Sequence, residues 1–544
     1  MPTRLSPFVA LAVSALLALT VPTARAAPAD DIRSLAAGAR QAAPRAERPY
    51  DERDWLERFY APRAFTPVWL EHGPARAAAA VALLQGADSQ GLAPSDYQAA
   101  VLEQRLRAAT PDDASFDVAL TRAMLHFLAD LRVGRVRSEY HTAGADPRLK
   151  QFDPVEQLRQ AIAQDNLTTA GARAEPRIAL YQFIKQALAA YRALARQPAI
   201  TLTPLDKGAR VDSGDAYAEA HLLRAQLQRL GDLGHAAPAG PDTVYSAELA
   251  AAVKRFQARH GLLDDGVLGR DTIGALNTPL ATRVRQLELT LERLRWLPDF
   301  SAGPVVAVNL PAYRLWAISN GVTGGPPPLE MRVIVGTAVK TQTPLFVGHM
   351  RYLEFNPYWN VPPSIARGEL LPKMASNSQY LVQNNMELVP VKGGAPTQHI
   401  DAATLAAARS GAYRIRQRPG PINALGAVKF AMPNPDNIYL HSTSARELFK
   451  RTRRDLSHGC IRVEQPHALA KFVLADKPEW TEQAIAHAMT PGTPSKTVSL
   501  KTTIPVVLFY ATAIAGRDGQ AIFSPDIYRR DAQLEQALTR RQPQ

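Results

Sequence analysis

The stretch that decides the fold and the chemistry spans residues 437–466 and reads NIYLHSTSARELFKRTRRDLSHGCIRVEQP. A short apolar, strand-like run ends at His441, and Cys460, the single cysteine of the 544 residues, follows 19 positions later. A thiol is a strong nucleophile only as the thiolate, and an imidazole is suited to take its proton. Nineteen residues suffice for a strand, a turn or short helix, and a return. The spacing therefore predicts that His441 and Cys460 face each other on adjacent elements.

The residues around the cysteine fit acyl transfer to a thiol better than the chemistry of serine or zinc enzymes. Gly459 lacks a Cβ, so backbone N–H groups beside Cys460 can approach a substrate oxygen as an oxyanion hole. The sequence contains no Ser-x-x-Lys, Lys-Thr-Gly, Gly-x-Ser-x-Gly or His-Glu-x-x-His motif. A zinc site built from His441, His458 and Cys460 is a weak alternative, and no cofactor is implied. A single cysteine also excludes disulfide scaffolds and iron–sulfur sites.

The N-terminal segment predicts export. Arg4 precedes an almost unbroken apolar run from Phe8 to Val21, and Ala24-Arg25-Ala26 offers a cleavage site, so residues 1–26 read as a secretory signal peptide. No later stretch is apolar enough to cross a bilayer. We therefore expect a periplasmic protein with no stable membrane span after signal cleavage.

The charge balance favours acidic partners. There are 63 Lys+Arg against 50 Asp+Glu, a net charge of +13, which suits nucleic acid, lipid headgroups or an anionic wall polymer. No nucleic-acid-binding signature is present, so we expect no nucleic acid as a partner. The basic run at residues 450–454 is read as a solvated face, or alternatively as a contact with the anionic wall or another protein.

The first half of the chain reads as helical. After a linker at residues 27–50, DERDWLERFY places Trp55, Phe59 and Tyr60 on one helical face, and TRAMLHFLADLRVGRV repeats the pattern. We predict a helical scaffold domain at residues 51–212.

A compact unit follows at residues 213–282. Its sequence AVKRFQARHGLLDDGVLGRDTIGALN (residues 252–277) combines an amphipathic helix, an Asp265-Gly266 turn and a short helix. It closely resembles the type 1 peptidoglycan-binding module, a small three-helix domain.

The remaining sequence is rich in strand signals. Segments such as GPVVAVNLPAYRLWAIS and LEMRVIVG carry β-branched and aromatic residues in partial alternation, and a hairpin is predicted to turn at Asp518-Gly519. Residues 364–418 read as a long irregular insertion, and loops of that length are usually lids or disordered.

These patterns together resemble the YkuD-type L,D-transpeptidase family. The marker is HST followed, after a spacer, by SHGCIR, and FNPYWNVPPSIA (residues 355–366) and GPINALGAVKF (residues 420–430) are two more. The order of helical scaffold, wall-binding module and catalytic domain is similar to that of the large periplasmic YcbB-like branch. The resemblance implies an α+β fold with a mainly β catalytic domain at 303–498, the insertion at 364–418, and a C-terminal hairpin and helix at 499–544 that pack on the catalytic or scaffold domain.

The resemblance also implies the roles of individual residues. Cys460 is the nucleophile, His441 is the general base, and Ser442 orients the imidazole through its backbone carbonyl. Tyr439 and Gly459 contribute with Cys460 to the oxyanion hole.

The same resemblance extends to the substrate-binding residues. Arg462 holds the site or a substrate carboxylate, with a structural ion pair as the alternative, and His458 gives local support. Trp359 and the insertion form part of a substrate-capping wall, and Asn356 is assigned to substrate binding.

The implied reaction is formation of 3–3 peptidoglycan cross-links through a cysteine thioester with a tetrapeptide donor stem. The implied partners are peptidoglycan stem peptides and other cell-wall synthesis proteins. Two alternatives stay open. Water in place of the acceptor amine gives an L,D-carboxypeptidase, and loss of activity gives a non-catalytic peptidoglycan-binding scaffold protein.

Overall fold

The structure is a computed structural model that describes residues 28–38, 51–136, 140, 151–234, 243–300, 302–319 and 327–539. The predicted signal peptide at 1–26 lies outside the described residues. The predicted linker at 27–50 is wrong in part, because Pro28–Gly38 is a helix. Its Ile32 and Ala36 are buried in the core of the helical region, which explains why this short segment is ordered.

Helices dominate the first half of the described chain and recur among the strands of the second half. The α-helices before the β-rich region are Pro28–Gly38, Glu52–Tyr60, Ala75–Gln85, Ala99–Leu106, Ala114–Val133, Pro154–Ala163, Leu167–Ala174, Ala179–Ala195, Ala220–Arg229, Ala247–Arg259, Arg270–Leu276 and Leu280–Leu294. Those that follow are Pro363–Ile365, Leu371–Ser376, Tyr380–Gln383, Ala402–Ser410, Pro466–Val473, Glu482–Ala488 and Arg530–Thr539. Short 3₁₀ helices span Ala61–Arg63, Gly86–Gln90, Pro94–Tyr97 and Arg446–Lys450, and Ala366–Leu370 is a π-helix.

The predicted helical scaffold is confirmed. Helix Glu52–Tyr60 starts at Asp51, whose carboxylate caps it, and buries the aromatic face that the sequence indicates. Its Tyr60 hydroxyl donates a hydrogen bond of 2.6 Å to Asp117 on helix Ala114–Val133, and the same carboxylate accepts from the backbone of Trp69. Because a buried carboxylate is costly unless it is hydrogen-bonded, these contacts fix how the first helices pack.

The three-helix module is also confirmed, with a core of its own. Gln257 is 1% exposed and ties the module's loop to its helices, since its amide donates to Val267 and Thr272 and accepts from the backbone of Gly266. Gly266 has a positive φ of 76°, and a Cβ there would lie 3.0 Å from the carbonyl oxygen of Ala250. This explains the Asp-Gly turn in the sequence.

The β-rich region is built on one large sheet. Its strands, in order along the chain, are β3 (Val305–Asn309), β4 (Arg314–Ile318), β5 (Leu329–Gly336), β6 (Phe346–Phe355), β10 (Val428–Ala431), β11 (Leu440–His441), β12 (Asp455–Ser457), β13 (Ile461–Val463) and β14 (Lys496–Phe509). The order across the sheet is β12-β5-β13-β11-β10-β6-β14-β3-β4, and an additional pairing of β4 with β5 closes the sheet on itself. β1 (Arg210–Val211) and β2 (Leu268–Gly269) form a separate pair at the three-helix module.

The insertion is a folded unit, and the expectation of an irregular segment is wrong. Its strands β8 (Met386–Pro390) and β9 (Tyr413–Gln417) form a sheet with β7 (Trp359–Asn360), which lies just before the insertion, in the order β7-β9-β8 across the sheet. Its helices and strands share a core around Met374, Leu381 and Leu388. The apolar residues are spaced irregularly because each short element contributes only one or two of them, which hides the fold from a periodicity argument.

The C-terminal segment is divided between two places. β14 is part of the main sheet as far as Phe509, so the expected boundary after residue 498 cuts a strand in two. The hairpin of β15 (Ala513–Ala515) and β16 (Ala521–Phe523) turns at Asp518-Gly519 as predicted and joins the helical core. Helix Arg530–Thr539 is tied to helix Leu280–Leu294 by the ion pair of Arg285 with Glu535.

The insertion core gives a first prediction. Leu388 is fully buried in β8, so Leu388→Ala should destabilise the insertion locally by about 2–5 kcal/mol. Hydrogen exchange should show lost protection in β8 and β9 with little change in the main sheet. Val391→Ala is the control, because Val391 is 53% exposed and its truncation should cost less than about 0.5 kcal/mol. Equal loss of protection in the main sheet would show that the insertion does not fold around its own core.

Candidate active site

A row of polar residues crosses the main sheet at one level. His441 on β11 is in register with Arg462 on β13 on one side and with Lys429 on β10 on the other. Lys429 in turn pairs with Glu354 on β6, and their side chains form an ion pair of 3.0 Å. Residues in register across strands point to the same face. Arg462, His441, Lys429 and Glu354 therefore form one charged band.

The opposite face of the same strands is apolar. Leu440, Ile461 and Phe430, which alternate with the polar residues, are fully buried in the sheet core. The alternation means that this core fixes which side chains face the site. A shift of one residue in any of these strands would bury a charge and expose an apolar side chain.

Cys460 lies in the turn between β12 and β13. The turn is closed by Ser457, whose hydroxyl donates to the carbonyl of Cys460 at 2.6 Å and accepts from the N–H of Gly459 at 3.1 Å. Gly459 has a φ of 114°, a conformation that side-chain-bearing residues rarely adopt. The N–H of Gly459 is thus engaged within the turn, which leaves the N–H of Cys460 as the better candidate for an oxyanion donor.

His441 and Cys460 lie on neighbouring strands, as the spacing predicts. β11 and β13 are parallel, and Ile461 donates its N–H to the carbonyl of Tyr439 at 3.0 Å, so Cys460, directly before β13, lies near Tyr439. The Tyr439 ring packs edge-on against the imidazole of His441, with 5.7 Å between ring centroids. The Cys460 thiol donates to the carbonyl of Asn437 at 3.6 Å, two residues before Tyr439, and Tyr439 lowers the pKa of the thiol. Both predicted catalytic groups therefore lie beside the same tyrosine.

Burial and two cations set the electrostatics of the pair. Burial lowers the pKa of His441 to about 3, with a further decrease from Arg462 and Lys429 that the nearby backbone of Ser442 and Leu425 opposes. Burial raises the pKa of the Cys460 thiol, and Tyr439, Lys429 and Arg462 lower it in part. At neutral pH the resting pair is therefore an uncharged thiol beside an uncharged imidazole.

Ser442 holds the strand that carries the imidazole. Its hydroxyl donates to the carbonyl of Leu425 at 3.0 Å and accepts from the N–H of Val428 at 3.2 Å. A Cβ on Gly426 would lie 2.2 Å from this hydroxyl, so only glycine fits at that position. This packing gives a physical reason for the GPINALGAVKF stretch.

Tyr439 connects the thiol to the insertion. Burial and the neighbouring thiol raise the pKa of Tyr439, and the Trp359 side chain on β7 opposes this rise. Trp359 thus lies beside Tyr439 on the side of the site that faces the insertion. Arg462 is half-buried, and burial lowers its pKa.

His458 does more than support the turn locally. Its Nε2 lies 2.6 Å from a carboxylate oxygen of Glu369, which belongs to the π-helix Ala366–Leu370 of the insertion. The residue two positions before Cys460 is therefore in direct contact with the insertion. This side-chain pair attaches the insertion to the cysteine turn, and Trp359, just before the insertion, lies on the same side of the site beside Tyr439.

Asn356 does not line the site, and its assignment to substrate binding needs correction. It is 4% exposed, and its amide donates to the carbonyls of Ala488, Thr490 and Thr493 at 3.0–3.1 Å. Its φ is 43°, which allows the chain to leave β6 and turn toward β7. Asn356 therefore positions the start of the insertion and has no amide hydrogen left for a ligand.

Sequence reasoning missed a second support of the cysteine turn. Thr343 donates its hydroxyl to the carbonyl of Gly459 at 2.7 Å, and Thr341 donates to the carbonyl of Ser457 at 2.9 Å. The Tyr528 hydroxyl, near the C-terminus, donates to Gly336 beside this loop at 2.6 Å. These residues lie more than 60 positions from Cys460 in the chain, so no local motif signals them. Lys429 was missed as well, although it lies inside one of the quoted family markers.

Among the described residues, no group of three or more His, Cys, Asp or Glu side chains is placed to hold a metal ion. Within the same described ranges, no helix combines the length and apolar character needed to cross a membrane.

Comparison with known proteins agrees with this architecture. Residues 54–188 match a scaffold domain family, residues 217–276 a peptidoglycan-binding domain family, and residues 303–504 the L,D-transpeptidase catalytic domain family, YkuD. A curated Haemophilus influenzae protein named as an L,D-transpeptidase is 34% identical over 288 residues, which is 51% of this chain. The match spans 55% of that relative's length.

A solved structure also matches part of this chain. It is the crystal structure of the L,D-transpeptidase (residues 123–326) from Xylanimonas cellulosilytica, at 16% identity over 58% of this chain and 100% of that chain. Its TM-score is 0.16, so it adds no argument about the fold.

The buried imidazole predicts a pH-dependent stability. An unfolded histidine takes up a proton near pH 6.5, whereas His441 in the folded chain does so near pH 3. Between these values the unfolded chain binds more protons, so the stability due to His441 is complete above about pH 6.5 and is lost as the pH falls, by up to about 1.4 kcal/mol per pH unit. In urea unfolding, the advantage of the wild type over His441→Asn should shrink from pH 7 to pH 4. His72→Asn, at an exposed histidine, is the control, and an advantage independent of pH would contradict the buried, neutral imidazole.

Proposed function

We propose that this chain, which carries a YkuD L,D-transpeptidase catalytic domain and a type 1 peptidoglycan-binding domain, is a periplasmic L,D-transpeptidase that forms 3–3 cross-links in peptidoglycan. The observation that carries the proposal is the placement of His441 on β11 and of Cys460 directly before the neighbouring parallel strand β13, both beside Tyr439. The domain order suits the large periplasmic YcbB-like branch, and the sequence of residues 1–26 suits export.

The first half-reaction acylates the enzyme. The Sγ of Cys460 gives its proton to His441 and attacks the carbonyl carbon of the third residue of a tetrapeptide donor stem. The oxyanion forms near the N–H of Cys460 and the Tyr439 hydroxyl. The bond to the terminal D-Ala then breaks, its nitrogen takes the proton from His441, and a thioester remains on Cys460.

The second half-reaction transfers the acyl group. The side-chain amine of diaminopimelate on an acceptor stem gives a proton to His441 and attacks the thioester carbonyl. The new amide is the 3–3 cross-link, and Cys460 leaves as the thiol after His441 returns the proton. Each proton removed is returned, so the enzyme is regenerated without a further reactant.

The charged band explains when the thiolate forms. Lys429 and Arg462 stabilise a negative sulfur but destabilise a positive imidazole. A standing thiolate–imidazolium pair is therefore disfavoured, and proton transfer accompanies attack on a bound substrate. This arrangement protects a lone thiol from oxidation between turnovers, because the thiolate is the reactive form.

The insertion decides between the transferase and the L,D-carboxypeptidase. Glu369 of the insertion contacts His458 in the cysteine turn and Trp359 lies beside Tyr439, so a cover that excludes water can form here, and this favours the acceptor amine over hydrolysis. This contact supports the transferase as the main activity. The complete set of Cys460, His441 and Tyr439 argues against a non-catalytic scaffold protein.

The nucleophile assignment is tested by mass and product analysis. Incubation with a carbapenem should add a single adduct to the wild type, and with purified sacculi the wild type should produce 3–3 dimers. Cys460→Ala should do neither, while Ser495→Ala, at an exposed serine away from the turn, should do both. An adduct on Cys460→Ala, or tripeptides without dimers from the wild type, would refute the nucleophile or the transferase, respectively.

Lys429 gives a prediction that the sequence motifs do not. Lys429→Met removes a positive charge that lowers the pKa of the Cys460 thiol, so that pKa should rise. Acylation at neutral pH should then slow by about tenfold or more, and its pH–rate profile should shift to higher pH. Lys429→Arg keeps the charge and should keep most of the rate. A parallel loss in both variants, with no shift of the profile, would indicate a packing effect instead.

A further inference from the structure

A second concave site lies away from Cys460, between the wall-binding module and the catalytic domain. It is a cleft of about 290 Å³. One wall is the loop after helix Ala247–Arg259 of the module, a second is formed by β4 and β5 with the segment 450–454, and the third is the β15–β16 hairpin. The proposed reaction uses none of these residues.

The docking of the module defines this cleft. Arg259 of the module pairs with Asp232 and also donates to the carbonyl of Ala521 in the hairpin. His260 is stacked between Phe256 and Phe523, with centroid distances of 3.8 and 5.6 Å. The wall-binding module is thus held against the hairpin by buried contacts, and the cleft is a built feature of the fold.

Six cations line the cleft. They are Arg314, Arg332, Lys450, Arg451, Arg453 and Arg454. Three have carboxylate partners, namely Glu330, Glu464 and Asp455. Among the described residues, none forms an ion pair with Lys450, Arg451 or Arg454. Lys450, Arg451 and Arg453 are exposed, as the solvated-face interpretation requires, and they also form one wall of the cleft.

Arg454 forms the inner end of this basic run. It is 8% exposed, its guanidinium donates to the carbonyl oxygens of Val333, Tyr313, Arg451 and Thr452, and it lies over the Tyr313 ring. Burial and the neighbouring charges of Arg314 and Arg332 lower its pKa to about 10. Its hydrogen bonds are therefore made within the fold, but its charge is not neutralised by a carboxylate of the described residues, and together with Lys450 and Arg451 it would attract a ligand carboxylate in the cleft.

The remaining lining narrows the ligand class. Leu263 and Ile522 are 57% and 36% exposed, so the cleft also offers apolar contacts. Asp264 and Glu330 add negative groups, which would repel a polyphosphate but would accept an amine. A flat membrane surface cannot enter a cleft of this shape. The best fit is a peptide with several carboxylates, fewer amines and short alkyl groups.

We propose that this cleft binds a carboxylate-rich stem peptide of the cell-wall polymer, on a strand other than the donor that reacts with Cys460. The inference rests on the proposed function, because it takes its ligand from the same polymer. The chain continues from Arg454 through β12 to the Cys460 turn, so a stem held in the cleft is anchored on the strand that leads to the nucleophile.

The test compares two charge reversals in the full-length Cys460→Ala protein, where no turnover takes place. Lys450→Glu with Arg451→Glu changes the cleft, and Lys207→Glu with Lys501→Glu makes the same change at exposed positions outside it. Binding to purified sacculi is measured by co-sedimentation, with sacculi whose carboxylates have been amidated as a second probe. The cleft pair should weaken binding to native sacculi by about tenfold or more, and the outside pair by much less. Amidated sacculi should bind both pairs alike.

Other outcomes overturn the proposal. Equal weakening by both pairs would show attraction by net charge alone, and no weakening by the cleft pair would leave the cleft without this ligand. A cleft pair that loses binding to phosphatidylglycerol vesicles but keeps binding to sacculi would assign the site to a lipid surface. Carbapenem acylation of Cys460, measured separately in the same pairs with Cys460 intact, should be unchanged. If no protein with Cys460 intact is acylated, the proposed reaction is refuted. The binding to sacculi then still shows whether the cleft binds the stem peptide.

Discussion

The strict alternation of β10, β11 and β13 is the constraint on which the site depends. Phe430, Leu440 and Ile461 must lie in the apolar core, and this places Lys429, His441 and Arg462 on the other face at one level. The free energy that fixes the register comes from the buried side chains, about 1.5–3 kcal/mol for each large one. The charged band is therefore positioned by the core, and the ion pair of Lys429 with Glu354 adds to it.

That positioning has an electrostatic consequence for the chemistry. A buried imidazole between two cations resists protonation, and a half-buried thiol resists ionisation, so neither group is reactive alone. In the proposed reaction, the developing charge is accepted by a substrate carbonyl close to Tyr439. The insertion adds to this requirement, because its Glu369 reaches the cysteine turn from a folded unit with its own core.

The sequence was sufficient wherever the signal is local. The scaffold helix at Trp55, the Asp265-Gly266 turn and the strand of His441 each depend on neighbours within a few residues, and the structure confirms them. It was insufficient where the partner is distant. The supports of the cysteine turn come from Thr343 and Tyr528, and Asn356 is held by the 488–493 loop. The residues near the motif therefore do not indicate these distant contacts. The fold of the insertion was hidden for a similar reason, since its core is shared among many short elements.

The basic run at residues 450–454 shows how one segment can serve two surfaces. Asp455 at its end accepts from the Tyr313 hydroxyl at 3.0 Å and pairs with Arg453, which fixes the start of β12. Two residues later Ser457 closes the turn that carries Cys460. Buried Arg454 joins the two surfaces, because its guanidinium holds the carbonyls of Val333, Tyr313, Arg451 and Thr452 and so fixes the segment between the cleft and β12. Its charge has no carboxylate partner among the described residues, and that cost is understandable if the cation faces an anion of the wall polymer, a few residues from the cysteine proposed to act on the same polymer.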